Sequence, residues 1–123
     1  MSALQKMRPS HNASVYLHVQ PVDFRKSING LTQIVEQELE LDPFSPTMFL
    51  FCNRVRDKVK LLYWQRNGFC LWYKRLEKEK FKWPSAQNTD AVTLTGKQLA
   101  WLLDGFDIFN APPHQELHFS SVD

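Results

Sequence analysis

Ten of the fifteen Lys and Arg residues in this chain fall between positions 52 and 82: Arg54, Arg56, Lys58, Lys60, Arg66, Lys74, Arg75, Lys78, Lys80 and Lys82. Only Asp57, Glu77 and Glu79 oppose them there, so this 31-residue stretch carries a net +7. Aromatic residues are interleaved with the cations: Tyr63, Trp64, Phe69, Trp72 and Tyr73. That combination is the chemistry of nucleic-acid binding. Ammonium and guanidinium groups neutralise phosphates, rings stack on unpaired bases, and a two-stranded ribbon fits the DNA major groove. The aromatic set, Trp64, Phe69, Trp72 and Tyr73, equally suits anchoring a protein partner. The plainer alternative makes the rings core and the cations solvated hairpin ends, and the pattern leaves both open.

A second feature bears on the same chemistry. Arg25 and Lys26 fall at the expected start of a helix, whose end is already positive, while Glu36, Glu38 and Glu40 fall near its negative end. Each placement opposes the helix dipole at a cost of a few tenths of a kcal/mol to about 1. A helix start with two added cations suits an anion such as phosphate, although solvent screening can make the dipole irrelevant. Catalysis has no comparable support. The acids are scattered, without the context for acid–base work or for binding Mg²⁺. No nucleophile motif and no Gly-rich phosphate loop is present. His114 and His118 are four apart, but they follow Pro112-Pro113 and alternate with Leu117 and Phe119, which suits a strand or tail better than a metal-binding helix. No catalytic residue, metal or cofactor is expected. Cys52 and Cys70 read as buried free thiols in a reducing compartment.

These residues must be positioned by a small fold. The chain has 123 residues, enough for one domain with a core that needs no disulfide or metal. Hydrophobic residues make up 43% and the formal charge is +2, which excludes global disorder. The polar start has no apolar signal core and no apolar run approaches the ~20 residues of a membrane span, so a cytoplasmic protein without membrane contact is expected. Residues 1–12 read as a flexible N-terminal arm and 13–120 as the domain. Val15, Leu17 and Val19 alternate with Tyr16 and His18 as in a half-buried strand. Phe24, Ile28, Leu31, Val35 and Leu39 draw one apolar stripe, predicting a helix near 24–41 with Asp23 as N-cap. Gly30 inside it suggests close packing. Met48 to Cys52 is a continuous apolar run, as in a central strand. Asn67-Gly68 between two aromatic-rich runs predicts a hairpin over 58–76, with a two-residue turn pairing Tyr63 with Trp72 and Trp64 with Leu71; a bulge at Gly68 would shift that pairing. Ala91 to Leu94 is a short strand. Thr95 with Gln98 forms a capping box, Leu99, Leu102 and Leu103 give a second helix near 97–104, and Gly105 is its C-cap. The expected fold is α+β: a small antiparallel sheet of four to five strands with both helices packed on one face.

The run Pro21-Val22-Asp23-Phe24-Arg25-Lys26-Ser27-Ile28-Asn29-Gly30-Leu31 resembles the opening signature of a family of small accessory proteins encoded by bacterial insertion sequences of the sixty-six type. Leu41-Asp42-Pro43-Phe44-Ser45, then Asn67 through Glu77 with Phe81-Lys82-Trp83-Pro84, are similar to later signatures of that family. Leu94-Thr95, Gln98-Leu99 and Leu102-Leu103-Asp104-Gly105 resemble its C-terminal block. The likeness runs from about Val15 to Phe119. It implies a non-catalytic role in transposition, beside a larger transposase that carries the strand-transfer acids. It brings no catalytic residues to transfer. The partners expected are DNA, the transposase and other proteins of the element, and a second copy of the chain. The alternative to DNA binding is an adaptor that grips the transposase, or itself, without touching DNA.

Overall fold

The computed structural model describes residues 14–85 and 90–110. The expected arm at 1–12, the tail with Leu117 and Phe119, and the His114/His118 pair lie outside the described residues. Five strands, β1 (Val15–His18), β2 (Met48–Cys52), β3 (Lys58–Gln65), β4 (Gly68–Arg75) and β5 (Ala91–Leu94), form one sheet in the order β4-β3-β2-β1-β5. Two helices accompany it, α1 (Ile28–Gln37) and α2 (Gly96–Leu103). The α+β class and the hairpin are therefore as expected, with five strands.

Two details differ from expectation. The sheet is mixed: β1 and β2 run parallel, Val15 beside Met48 and Leu17 beside Leu50, while the other pairings are antiparallel. A helix long enough to cross the sheet separates β1 from β2, and such a crossover returns the chain in the same direction. The helices also lie on opposite faces. Leu31, Ile34 and Val35 of α1 pack with Phe49, Phe51 and Leu62, whereas Leu99, Leu102 and Leu103 of α2 pack with Met48, Leu50, Cys52, Leu61 and Tyr63. Neighbouring residues of a strand point to opposite faces, so the two sets are on two sides of the sheet. All five residues of β2 are buried as a result. An unbroken apolar strand needs cover on both sides, which one helical layer cannot give.

The helix boundaries follow local chemistry. Asp23 does not cap α1. Its carboxylate accepts the Arg25 backbone N–H at 2.9 Å and the Arg25 guanidinium at 2.6–3.1 Å, making a turn upstream. Extended Ser27 then opens a helix that starts at Ile28 and has no side-chain cap. The Lys26 stem lies against Gly30, where a Cβ would meet it at 3.1 Å, which is the close packing expected. At the other end Glu40 has a left-handed φ of 54° and stops the helix short of Pro43. For α2 the capping box is complete: Thr95 Oγ1 accepts the Gln98 N–H at 3.1 Å, and Gln98 Oε1 accepts the Thr95 N–H at 2.9 Å. Its other end is a Schellman motif. Gly105 N–H bonds Leu102 C=O and Phe106 N–H bonds Trp101 C=O, with Gly105 at φ +98°.

The hairpin turns one residue earlier than expected. Tyr63 pairs with Cys70 and Trp64 with Phe69, so Arg66 and Asn67 form the turn, with Arg66 at φ +58°. The register slides by two, which preserves faces: Tyr63 shares a side with Trp72, and Trp64 shares one with Leu71. This register sets Trp64 edge-on to Phe69 at 4.9 Å and both rings against Phe44, at 4.9 and 5.1 Å. Such contacts contribute about 0.5–1.5 kcal/mol each, enough to offset the ~1–2 kcal/mol of a left-handed non-glycine residue.

Candidate nucleic-acid interface

Strand direction sorts the cations. The carboxyl ends of parallel β1 and β2 share one end of the sheet with the start of β3 and the end of β4. The β2–β3 turn lies there. It is pinned by Asn53, whose side chain accepts the Lys58 N–H at 3.1 Å and donates to Asp57 at 2.7 Å. That hydrogen bond is the main reason the Asp57 carboxyl sits below its ordinary pKa. The pinned turn presents exposed Arg54 and Val55 and half-buried Arg56.

After β4 the chain does not leave this end. Leu76 N–H bonds Asp57 C=O at 2.8 Å, Phe81 N–H bonds Arg56 C=O at 2.7 Å, and the Trp83 indole donates to Val19 C=O at 3.1 Å. Residues 76–83 thus form a strap from β4 to β1. Phe81 and Trp83 are buried in the α2-side core, while Lys78, Lys80 and Lys82 are exposed. Val22 N–H bonds Cys52 C=O, which brings the segment carrying Arg25 and Lys26 to the same end. Lys26, Arg54, Arg56, Lys78, Lys80 and Lys82 make no side-chain bond or ion pair among the described residues.

Of the other cations, Arg66 alone lacks a side-chain partner among the described residues; the rest are committed elsewhere. Lys60 Nζ donates to the carbonyls of Phe24 and Lys26, each at 2.8 Å, and lies 4.8 Å from the Phe24 ring centre. Burial lowers its pKa. Lys60 therefore pins the chain entering α1. Lys74 Nζ donates to Leu103 C=O at 2.8 Å and caps the negative end of α2. Lys58 sits 3.5 Å from Asp57, and Arg75 pairs with Glu77 at 2.9 Å. Arg25 is paired to Asp23, whose carboxyl is lowered to about 2 chiefly by that guanidinium. Arg66 stands at the opposite end of the hairpin, eight strand residues away, or about 24 Å. The twelve cations do not form one ribbon.

The rings divide as well. Trp72 is half-buried against the α2-side core, and Trp64 and Phe69 are half-buried at the hairpin tip under exposed Phe44. Tyr73 is 49% exposed. Both cysteines are free; Cys52 is buried, which pushes its thiol up to about 12, but Cys70 is only half-buried. Among the described residues no group of three His, Cys, Asp or Glu side chains converges as a metal site, and no helix is long and apolar enough to cross a membrane. Two signals in the sequence point to this arrangement. Lys78, Lys80 and Lys82 alternate with residues that end in Phe81 and Trp83, the mark of a strap with one side in and one side out. Lys60 and Lys74 fall on strand positions that face the helices.

The family model described as IS66 Orf2 like protein matches residues 13–112. The chain belongs to the IS66 Orf2-like family. As a member of that family it is an accessory protein of an insertion sequence, with a part in transposition. It is similar to the uncharacterized proteins y4jC and y4hO of Sinorhizobium fredii (strain NBRC 101917 / NGR234). It is 32% identical to y4jC over 99 residues, 80% of this chain and 84% of that one. The likeness to y4hO is 33% over 102 residues, 82% and 88% of the two chains. No solved structure matches this IS66 Orf2-like chain.

Proposed function

We infer that this IS66 Orf2-like protein assists transposition without catalysis, in the cytoplasm, by holding DNA through the basic end of its sheet. The observation that carries this reading is the segregation of its cations. Those with internal work, Lys60 and Lys74, are drawn under the helices, and of the seven cations of this set without a side-chain partner among the described residues six, Lys26, Arg54, Arg56, Lys78, Lys80 and Lys82, share one end, Arg66 at the hairpin turn being the exception. Three of them ride on a strap anchored by Phe81 and Trp83, so their stems are positioned while their heads stay hydrated. Such a surface engages phosphates and steers an anionic partner; it has no inherent base preference. The test is the affinity of Lys78→Gln/Lys80→Gln/Lys82→Gln for duplex and single-stranded DNA. Binding is expected to weaken at least about tenfold while the fold is retained; unchanged affinity refutes the assignment.

The tip of the hairpin supports a second reading, an adaptor for the transposase. There Phe44, 54% exposed, lies over half-buried Trp64 and Phe69, an aromatic cluster of the type that anchors protein partners. Co-sedimentation with the transposase in the absence of DNA, lost in Phe44→Ser, would establish it.

A further inference from the structure

Among the described residues β4 is an edge strand with one side unpaired. In an antiparallel pair, residues alternate between those bonded to the neighbouring strand and those whose backbone groups point away. Gln65 and Gly68 close the two-residue turn as a bonded pair, and the Leu76 N–H bond to Asp57 C=O keeps the same alternation eight residues later. Phe69, Leu71, Tyr73 and Arg75 therefore direct their N–H and C=O groups outward. No backbone group among the described residues meets them. Natural edges are blunted by proline, bulges or projecting charge. β4 has no proline, and its pairing with β3 is unbroken over eight residues. Of the two charges that could guard it, Lys74 is withdrawn to Leu103 C=O, and Arg75 stands at the very end of the strand.

We propose that this edge is the homodimer interface, pairing antiparallel with β4 of a second copy, Phe69 opposite Arg75 and Leu71 opposite Tyr73 across a two-fold axis. Three observations favour a second copy in this register. It uses all four outward residues, each pair exchanging two hydrogen bonds. It sets each Arg75 over a Phe69 ring and keeps the two Arg75 side chains about 20 Å apart, so cations meet rings rather than each other. The other edge among the described strands, β5, has four residues, so head-to-tail pairing would leave half of β4 open and would not close. The result is a continuous ten-stranded sheet with the exposed Tyr73 rings near its centre.

Sedimentation equilibrium of the full chain, with amide exchange, tests this. A monomer–dimer equilibrium is expected, with protection of the Phe69, Leu71, Tyr73 and Arg75 amides that increases with protein concentration. Leu71→Pro removes one outward donor, and Tyr73→Lys restores a charge to the edge. Each should raise the dimer dissociation constant at least about tenfold with the circular dichroism spectrum unchanged. Tyr73→Lys alters only a half-exposed side chain, so it answers even if Leu71→Pro fails to fold. A chain that stays monomeric overturns the proposal. So does a monomer whose four amides are protected at every concentration, because another part of the chain then covers the edge. A dimer indifferent to Tyr73→Lys also overturns it.

Discussion

Salt dependence gives the sharpest test of the basic end. Each phosphate contact to duplex DNA adds about 0.9 to the negative slope of log affinity against log salt. Six cations at that end lack a side-chain partner among the described residues: Lys26, Arg54, Arg56, Lys78, Lys80 and Lys82. Full engagement predicts a slope of about −5.4, a loss of roughly 2,000-fold in affinity for a fourfold rise in salt. Lys78→Gln/Lys80→Gln/Lys82→Gln removes half of these contacts, leaving a slope of about −2.7 and a loss of roughly 40-fold over the same range. Lys74→Met is the control. Its ammonium already serves Leu103, so stability should fall while the slope stays put. Fluorescence anisotropy with a labelled duplex, in a salt series, reads both quantities. A strap variant with the wild-type slope, or a Lys74→Met protein whose slope falls by a full contact, refutes the sorting of bound from free cations.

Four further outcomes follow from the same geometry. Lys60→Met removes two charged hydrogen bonds and a ring contact, partly offset by relief from burying an ammonium; urea unfolding should show a loss of about 2–4 kcal/mol. Gly105→Ala forces a Cβ into φ +98° and should lower stability by about 1–2 kcal/mol, with the loss localised by amide exchange to the end of α2. Arg66→Gly relieves the left-handed turn residue and should raise stability by up to about 1 kcal/mol in thermal unfolding. The Asp23 carboxyl, observed by NMR, should titrate near 2, and Arg25→Gln should return it toward 3.8. Because the folded value is depressed, this pair's contribution is complete above the unfolded value and disappears as the pH falls through 2; it is solvent-exposed and correspondingly weak.

The sequence carried the elements well and their arrangement less well. The Thr95/Gln98 box, Gly105 and the hairpin are local chemistry, and the structure has all three. Strand direction is not local, and an all-antiparallel sheet was the wrong inference for β1 and β2. Yet the information was partly present. Met48 to Cys52 alternates nothing, so both of its faces need apolar cover, and one helical layer cannot supply that. The first helix lost its expected opening turn because Asp23 is occupied by Arg25, a competition between two residues that an apolar stripe does not register.

The same contrast decides how the charge should be read. Composition gives the sign of a lysine and strand parity gives its face, but only the fold gives its partner. Lys60 has the parity of Leu62 and Trp64, so it points toward α1; Lys74 has the parity of Cys70 and Trp72, so it points toward α2. Under a helix, an ammonium must find acceptors, and both find backbone carbonyls left by an irregular entry or a helix end. Reversing the charge of Lys74, the obvious experiment from sequence, would therefore place a carboxylate against the negative end of α2 and report folding in place of binding. The residues that can answer the question about DNA are those whose neighbours in sequence are buried while they are not. In this chain that singles out Lys82, between Phe81 and Trp83.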